Sequence, residues 1–177
     1  MDDARHELIR GFITAVVEDP SRAEHLLRQD QSLVNARWMH DETVLHFLAI
    51  ERFADAVRFL ITHGADVNTV NEFGDSPLVD VAAVSTNEIA RMLLAAGADP
   101  NGAETPFRYC PLHNAARKGN AELVRLLLDA GANPHYVNGY RDTIFDALDE
   151  GASAEERERI VDLLESYGVV KRAEPPE

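Results

Sequence analysis

Basic side chains, cysteine and long apolar runs are what this chain has least of. Seventeen Lys and Arg residues stand against thirty-one Asp and Glu, for a formal net charge of −14. Such a surface is repelled by phosphate backbones and anionic headgroups, so neither a nucleic acid nor a membrane is expected as a partner. The single cysteine, Cys110, cannot close an internal disulfide, and a reducing compartment, the cytoplasm, is the expectation that follows. No apolar stretch approaches the roughly 20 residues of a membrane span. The start, Met1-Asp2-Asp3-Ala4-Arg5, lacks the basic-then-apolar run of a secretory leader. Hydrophobic residues at 45% and charged residues at 27% are ordinary for a globular chain and argue against disorder. The 177 residues suit one domain, expected to be a monomer.

What the chain does have is internal repetition. Thr43-Val44-Leu45-His46, Ser76-Pro77-Leu78-Val79, Cys110-Pro111-Leu112-His113 and Thr143-Ile144-Phe145-Asp146 begin 33, 34 and 33 residues apart. A second series follows in phase: Gly64-Ala65-Asp66, Gly97-Ala98-Asp99, Gly131-Ala132-Asn133 and a bare Gly168. The distance from first marker to glycine is 21 residues in three units and 25 in the last. Each marker has a mechanical reading. A hydroxyl residue before a helix accepts free backbone N–H groups, and proline is tolerated at the first helical position. Apolar residues then recur at three- and four-residue steps, as in Leu45, Leu48 and Ala49. Second helical runs precede each glycine (56–61, 89–94, 123–128 and 160–164), and the glycine supplies the left-handed residue that closes a helix. Neither helix of a unit can bury its apolar face alone, so neighbouring units must stack.

These residues resemble the ankyrin repeat family, whose hallmark is Thr-Pro-Leu-His-x-Ala-Ala, two helices, and Gly-Ala-Asp ahead of a projecting finger. Residues 110–120, Cys110-Pro111-Leu112-His113-Asn114-Ala115-Ala116-Arg117-Lys118-Gly119-Asn120, are the nearest copy. The resemblance spans about residues 38–170. It implies an all-α solenoid of about five stacked helix-turn-helix units with short finger turns. As one domain over 1–177, it divides into an N-terminal capping unit (1–37, helices at 7–17 and 21–28), repeats at 38–70, 71–103 and 104–137, a C-terminal capping unit (138–170) and a flexible tail (171–177). The third unit departs from the pattern with Val79 in place of histidine, the last with Ile144 and Asp146. The four extra residues of the last unit fall around 152–156 and are expected to lengthen the turn between its helices, with 157–164 as the outer cap helix.

Residues arranged for chemistry are few. His46 and His113 hold the family's structural position, where the ring bonds the capping hydroxyl or a neighbouring backbone. No histidine pair has the one-turn spacing of a helical metal clip, and no second cysteine is present, so no metal is expected. Cys110 could act as a nucleophile beside His113, yet no orienting third group is visible, and a small residue replacing threonine in the cap is the simpler reading. No cofactor and no catalytic residue is expected, and an enzyme or small-ligand reading is the weakest of those weighed.

The resemblance implies a concave surface of finger tips and first helices. Just before the capping markers lie Met39, His40 and Glu42; Glu72, Phe73 and Asp75; Phe107 and Tyr109; and Tyr140 and Asp142. The ends of the first helices add Glu51, Val84, Arg117, Lys118 and Glu150. Aromatic residues recur near successive tips, and aromatics are favoured anchors of protein interfaces; Trp38 is expected to pack structurally. The second and third fingers are acidic and would steer a basic partner. A non-enzymatic protein-binding module is therefore the expected function. Resemblance to small bacterial ankyrin proteins adds an alternative, an immunity protein that neutralises a basic toxin.

Overall fold

The computed structural model describes residues 3–102 and 110–171. Ten helices run through them: α1 (Asp3–Glu18), α2 (Pro20–Gln29), α3 (Val44–Ile50), α4 (Ala54–Thr62), α5 (Pro77–Val84), α6 (Asn87–Ala95), α7 (Pro111–Arg117), α8 (Ala121–Asp129), α9 (Ile144–Gly151) and α10 (Ala154–Ser166). Two short 3-10 turns, Gln31–Asn35 and Met39–Asp41, join α2 to α3. Among the described residues there is no strand, only one isolated bridge between Arg37 and Thr43.

The helices stack in two layers. In the first, α3 packs on α5, α5 on α7 and α7 on α9; in the second, α4 packs on α6, α6 on α8 and α8 on α10. Leucine at fixed register builds the core between them. Leu45, Leu78 and Leu112 are buried from the first layer, and Leu60, Leu93, Leu127 and Leu164 from the second. Each such side chain contributes roughly 1.5–3 kcal/mol by leaving water. Polar bridges then fix the rotation of one unit on the next. The backbone N–H groups of Asp66, Asp99 and Asn133 donate to the side-chain oxygens of Asn35, Asn68 and Asn101, at 2.8, 2.8 and 2.7 Å.

The helix starts follow their capping residues. Thr43 Oγ1 accepts from the His46 N–H, and the His46 ring returns the bond by accepting from the Thr43 N–H at 3.2 Å. That use of Nδ1 leaves Nε2 to donate to the Asp75 carbonyl of the next unit at 3.1 Å. In the last unit Asp146 replaces the histidine and accepts from the Thr143 N–H at 2.7 Å. A carboxylate closes the cap but has no second ring nitrogen for a following finger.

The last unit corrects the expected position of its four extra residues. They do not lengthen the turn between the helices. They form a capping box, in which the Ser153 N–H donates to Glu156 Oε2 at 2.9 Å and the Glu156 N–H to Ser153 Oγ at 3.3 Å. α10 therefore begins earlier and runs for 13 residues, against 9 in α4, α6 and α8. A strong N-terminal cap outweighs the turn tendency of Ala152-Ser153-Ala154.

In the second, third and fourth units the turn between the helices contains one left-handed residue. Gly119 supplies it at φ 67°, whereas Arg52 (φ 66°) and Ser85 (φ 60°) adopt it in the second and third units. For a residue with a Cβ that conformation costs about 1–2 kcal/mol. Gly119 is also crowded, since a Cβ there would lie 2.5 Å from Glu156 Cδ.

Candidate interaction surface

The fingers are the turns that precede α3, α5 and α9; the last two share one fastening and the first has another. In the third unit Asn71 is buried and accepts from the N–H groups of Phe73 and Asp75, both at 3.0 Å. Backbone bonds close the loop, Asn71 N–H to Asp75 O at 3.0 Å and Gly74 N–H to Asn71 O at 2.9 Å. The fifth unit repeats the arrangement. Asn138 accepts from Tyr140 and Asp142, both at 2.9 Å, and its side-chain amide donates to the Asp142 carboxylate at 3.0 Å. A buried asparagine thus spends its oxygen on the loop and lifts the residue two positions on into solvent. Phe73 is 47% exposed and Tyr140 68%.

The second unit has Trp38 in that register. It packs on Phe47 with ring centroids 5.7 Å apart and serves the core, as expected of it. Arg37 does the fastening instead, donating to the Asp41 carbonyl at 2.8 Å, the Asp41 carboxylate at 2.6 Å and the Val70 carbonyl at 2.9 Å. His40 and Asp41 both take left-handed conformations, at φ 54° and 58°. His40 then reaches the next finger: Nδ1 lies 2.5 Å from Glu72 Oε1, its carbonyl accepts from the Glu72 N–H at 3.0 Å, and its ring sits 5.5 Å from that of Phe73.

Met39, His40, Glu42, Glu72 and Phe73 therefore form one patch across two fingers. Met39 is 60% exposed at its edge. Glu42 lies half-buried beneath, its carboxyl pushed up from the ordinary range chiefly by burial and further by Glu72, against the pull of His40. Asp75 is half-buried too, and Tyr140 stands exposed on the fifth-unit finger with half-buried Asp142. Of the first-helix positions, Glu51 and Lys118 are exposed at the C-terminal caps of α3 and α7, whereas Val84 and Arg117 are half-buried. Phe107 and Tyr109 lie outside the described residues. So does the expected tail beyond Lys171.

Sequence reasoning missed Asn71, Asn138 and Arg37, the residues that shape the fingers. A signal for the asparagines was present: each stands four residues before an Asp and five before a capping hydroxyl, two units apart.

Cys110 and His113 do meet, with Sγ 3.0 Å from Nδ1. Burial pushes the thiol up rather than down, away from thiolate character. Burial also holds the His113 ring below the usual imidazole range, opposed by a hydrogen bond with the Asp142 backbone. The pair stands in the register of Thr43 and His46, but Cys110 gives α7 no side-chain cap bond, so the Sγ–Nδ1 contact is what remains of that cap. Among the described residues no group of three or more His, Cys, Asp or Glu side chains could hold a metal ion, and no helix is long and apolar enough to cross a membrane.

A two-layer helical stack with fastened, protruding turns defines the class, a helical repeat protein. Comparison with known proteins gives the family. The profile described as "Ankyrin repeats (3 copies)" matches residues 12–104, and that described as "Ankyrin repeat" matches residues 108–139. The chain belongs to the ankyrin-repeat family, and ankyrin repeats are generally protein–protein interaction modules. It is similar to the human "Ankyrin repeat and SOCS box protein 16", with 36% identity over 51% of this chain and 20% of that protein. It is similar also to the rat "Cyclin-dependent kinase 4 inhibitor B", with 40% identity over 34% of this chain and 45% of that protein. The Arabidopsis thaliana "Serine/threonine-protein kinase VIK" shares 30% identity over 45% of this chain and 18% of its own length. The match spans less than half the length of each of these relatives.

Proposed function

We propose that this protein binds another protein chain through its finger tips and the adjoining ends of its first helices, and that the surface it meets is basic. The observation that carries the reading is the shared register of His40, Phe73 and Tyr140. Each is the third residue of a finger and exposed on a loop that internal hydrogen bonds already order. Rings presented this way bind with little further loss of conformational freedom. Phe107 has the same place in the sequence of the fourth unit, and Tyr109 lies two residues on.

Around the rings, Glu42, Glu72, Asp75 and Asp142 favour cationic groups, and Glu51, Val84, Arg117 and Lys118 extend the surface along the first helices. Surface complementarity is the whole mechanism, with no bond made or broken. On this reading the five units act as one monomeric domain in the cytoplasm. The test is affinity capture from the native source with the wild type and with a folded variant carrying alanine at Phe73, Phe107, Tyr109 and Tyr140. A basic protein held by the first and lost by the second supports the reading; equal capture by both sinks it.

A second reading, neutralisation of a basic toxin, is favoured by Glu42 and Glu72 lying together at a tip with a hydrophobic edge. One similar protein is by its name an inhibitor of a kinase, an action of the same binding class. Co-expression with a toxin encoded beside this gene should restore growth. Absence of any lethal neighbour would remove this second reading and leave the first.

A further inference from the structure

The second-helix layer carries a groove that finger-side binding leaves unused. From α4 onward, each second helix packs on the next. At the first junction α4 instead packs principally on α1, and its approach to α2 is slight. The cause is local: α1 runs for 16 residues, and after the single residue Asp19 the chain turns at Pro20 into α2. A groove of about 740 Å³ opens between the end of α1, the start of α2 and α4.

Its walls are apolar. Val17 and Pro20 form one side, Phe53 and Phe59 the other, with Val17 37% and Phe53 42% exposed. Its charge is opposite to that of the molecule. Arg52, Arg58 and His63 line it against one carboxylate, Asp55, in a chain of net charge −14. The Arg58 guanidinium is barely engaged, with Asp55 at 4.0 Å and Glu88 at 3.8 Å, the outer limit of an ion pair. Arg52 gives one N–H to the Val84 carbonyl at 2.7 Å. A guanidinium has five donors in a planar fork, so both retain donors for a further carboxylate. His63 stacks on Phe59 with centroids 4.0 Å apart, while its Nδ1–H donates to the Phe59 carbonyl at 2.8 Å. That leaves Nε2 as the ring's remaining polar atom.

We propose that this groove is a second docking site, taking a short segment of a partner protein in which aliphatic or aromatic side chains are flanked by carboxylates. The apolar side chains cover Phe53 and Val17, and the flanking carboxylates pair with Arg52 and Arg58. Charge complementarity selects this occupant, because a segment flanked by lysines would set like charges together in the groove. The groove lies in the second-helix layer and meets the first only at Arg52, beside Glu51 and Val84, so a partner seated on the finger tips leaves it open and the protein can join two partners. The proposal does not depend on the finger-side reading.

The test is a titration of the isotope-labelled full chain with a blocked probe peptide, Glu-Asp-Leu-Phe-Asp-Leu-Glu, and with its twin carrying lysine at every acidic position. The acidic peptide is expected to shift amide resonances of residues 16–20 and 52–63. Arg58→Glu and Phe53→Ser, both at exposed positions, should each weaken it by about tenfold or more. Phe73→Ala and Tyr140→Ala should leave its affinity unchanged. Equal binding of the lysine twin, no shift at any soluble concentration, shifts confined to other surfaces, or indifference to Arg58→Glu would overturn the proposal. Sedimentation supplies a further arm: self-association abolished by Phe53→Ser would place a second copy of the chain in the groove and overturn it likewise.

Discussion

The second and third units have matching helix pairs and share two buried leucines, Leu45 and Leu60 answering to Leu78 and Leu93, yet they are joined to their successors differently. His46 is wholly buried, bonded on one side to Thr43 and on the other to the Asp75 carbonyl of the next finger. At the same place in the third unit stands Val79, and Ser76 Oγ is buried with no hydrogen-bond partner among the described residues. The junction after the third unit is held by packing of α5 on α7 and α6 on α8, and by side-chain bonds such as Asn120 Nδ2 to Asn87 Oδ1 at 2.6 Å. Leucines at fixed register therefore give each repeat its shape, while a few polar bridges decide how firmly one repeat passes its order to the next.

The largest expected effect breaks the better bridge. His46→Val should lower stability by about 2–4 kcal/mol, because it leaves the Thr43 N–H buried without its acceptor and takes from the Asp75 carbonyl the donor that ties it to the preceding unit. Urea unfolding measures it, and a loss typical of surface substitutions would mean that the bridge carries little.

Acid should act in the same direction. Burial is the first cause holding His46 and His113 below the ordinary imidazole value of 6.5, so the fold favours their neutral form. Their contribution is complete above that value and is lost as pH falls from it through the folded pKa. Urea midpoints should therefore drop between pH 7 and pH 5, and His46→Val should flatten the slope. Asp30, Glu122, Asp146 and Glu156 are each held low, with side-chain hydrogen bonds as the main cause, so their contributions disappear only at more acid pH. A midpoint constant from pH 7 to pH 5 would contradict the histidine account.

Smaller changes sharpen the comparison. Val79→His should stabilise by about 0.5–1.5 kcal/mol by giving Ser76 a partner. Gly119→Ala should cost about 1–2 kcal/mol through its left-handed backbone. Thermal unfolding reads both, and the two shifts should have opposite signs. Smallest of all, Phe73→Ala and Tyr140→Ala should stay within about 0.5 kcal/mol of the wild type, since exposed tip rings support no core. A large loss from either would make it a packing residue rather than an anchor.

Much of the fold was legible because its leucines, caps and closing glycines recur at the unit spacing. The Thr43–His46 cap could be read from residue type alone. The extra residues of the last unit could not be placed so easily, because Ser153 and Glu156 read as turn and surface charge until they face each other in a capping box. At the fingers the sequence pointed to Phe73 and Tyr140, which stand exposed. It concealed what holds them there, since Asn71 and Asn138 look like loop polars and act through oxygens turned inward. The His40–Glu72 contact was hidden for another reason: it joins residues 32 apart through left-handed backbone at His40 and Asp41.

The most direct measurement is hydrogen exchange of the captured complex against the protein alone. Binding through the fingers predicts new protection at residues 38–42, 71–75 and 138–142, with the outer faces of α6 and α8 unchanged. Protection confined to those outer faces, with the fingers exchanging as in the free protein, would contradict it.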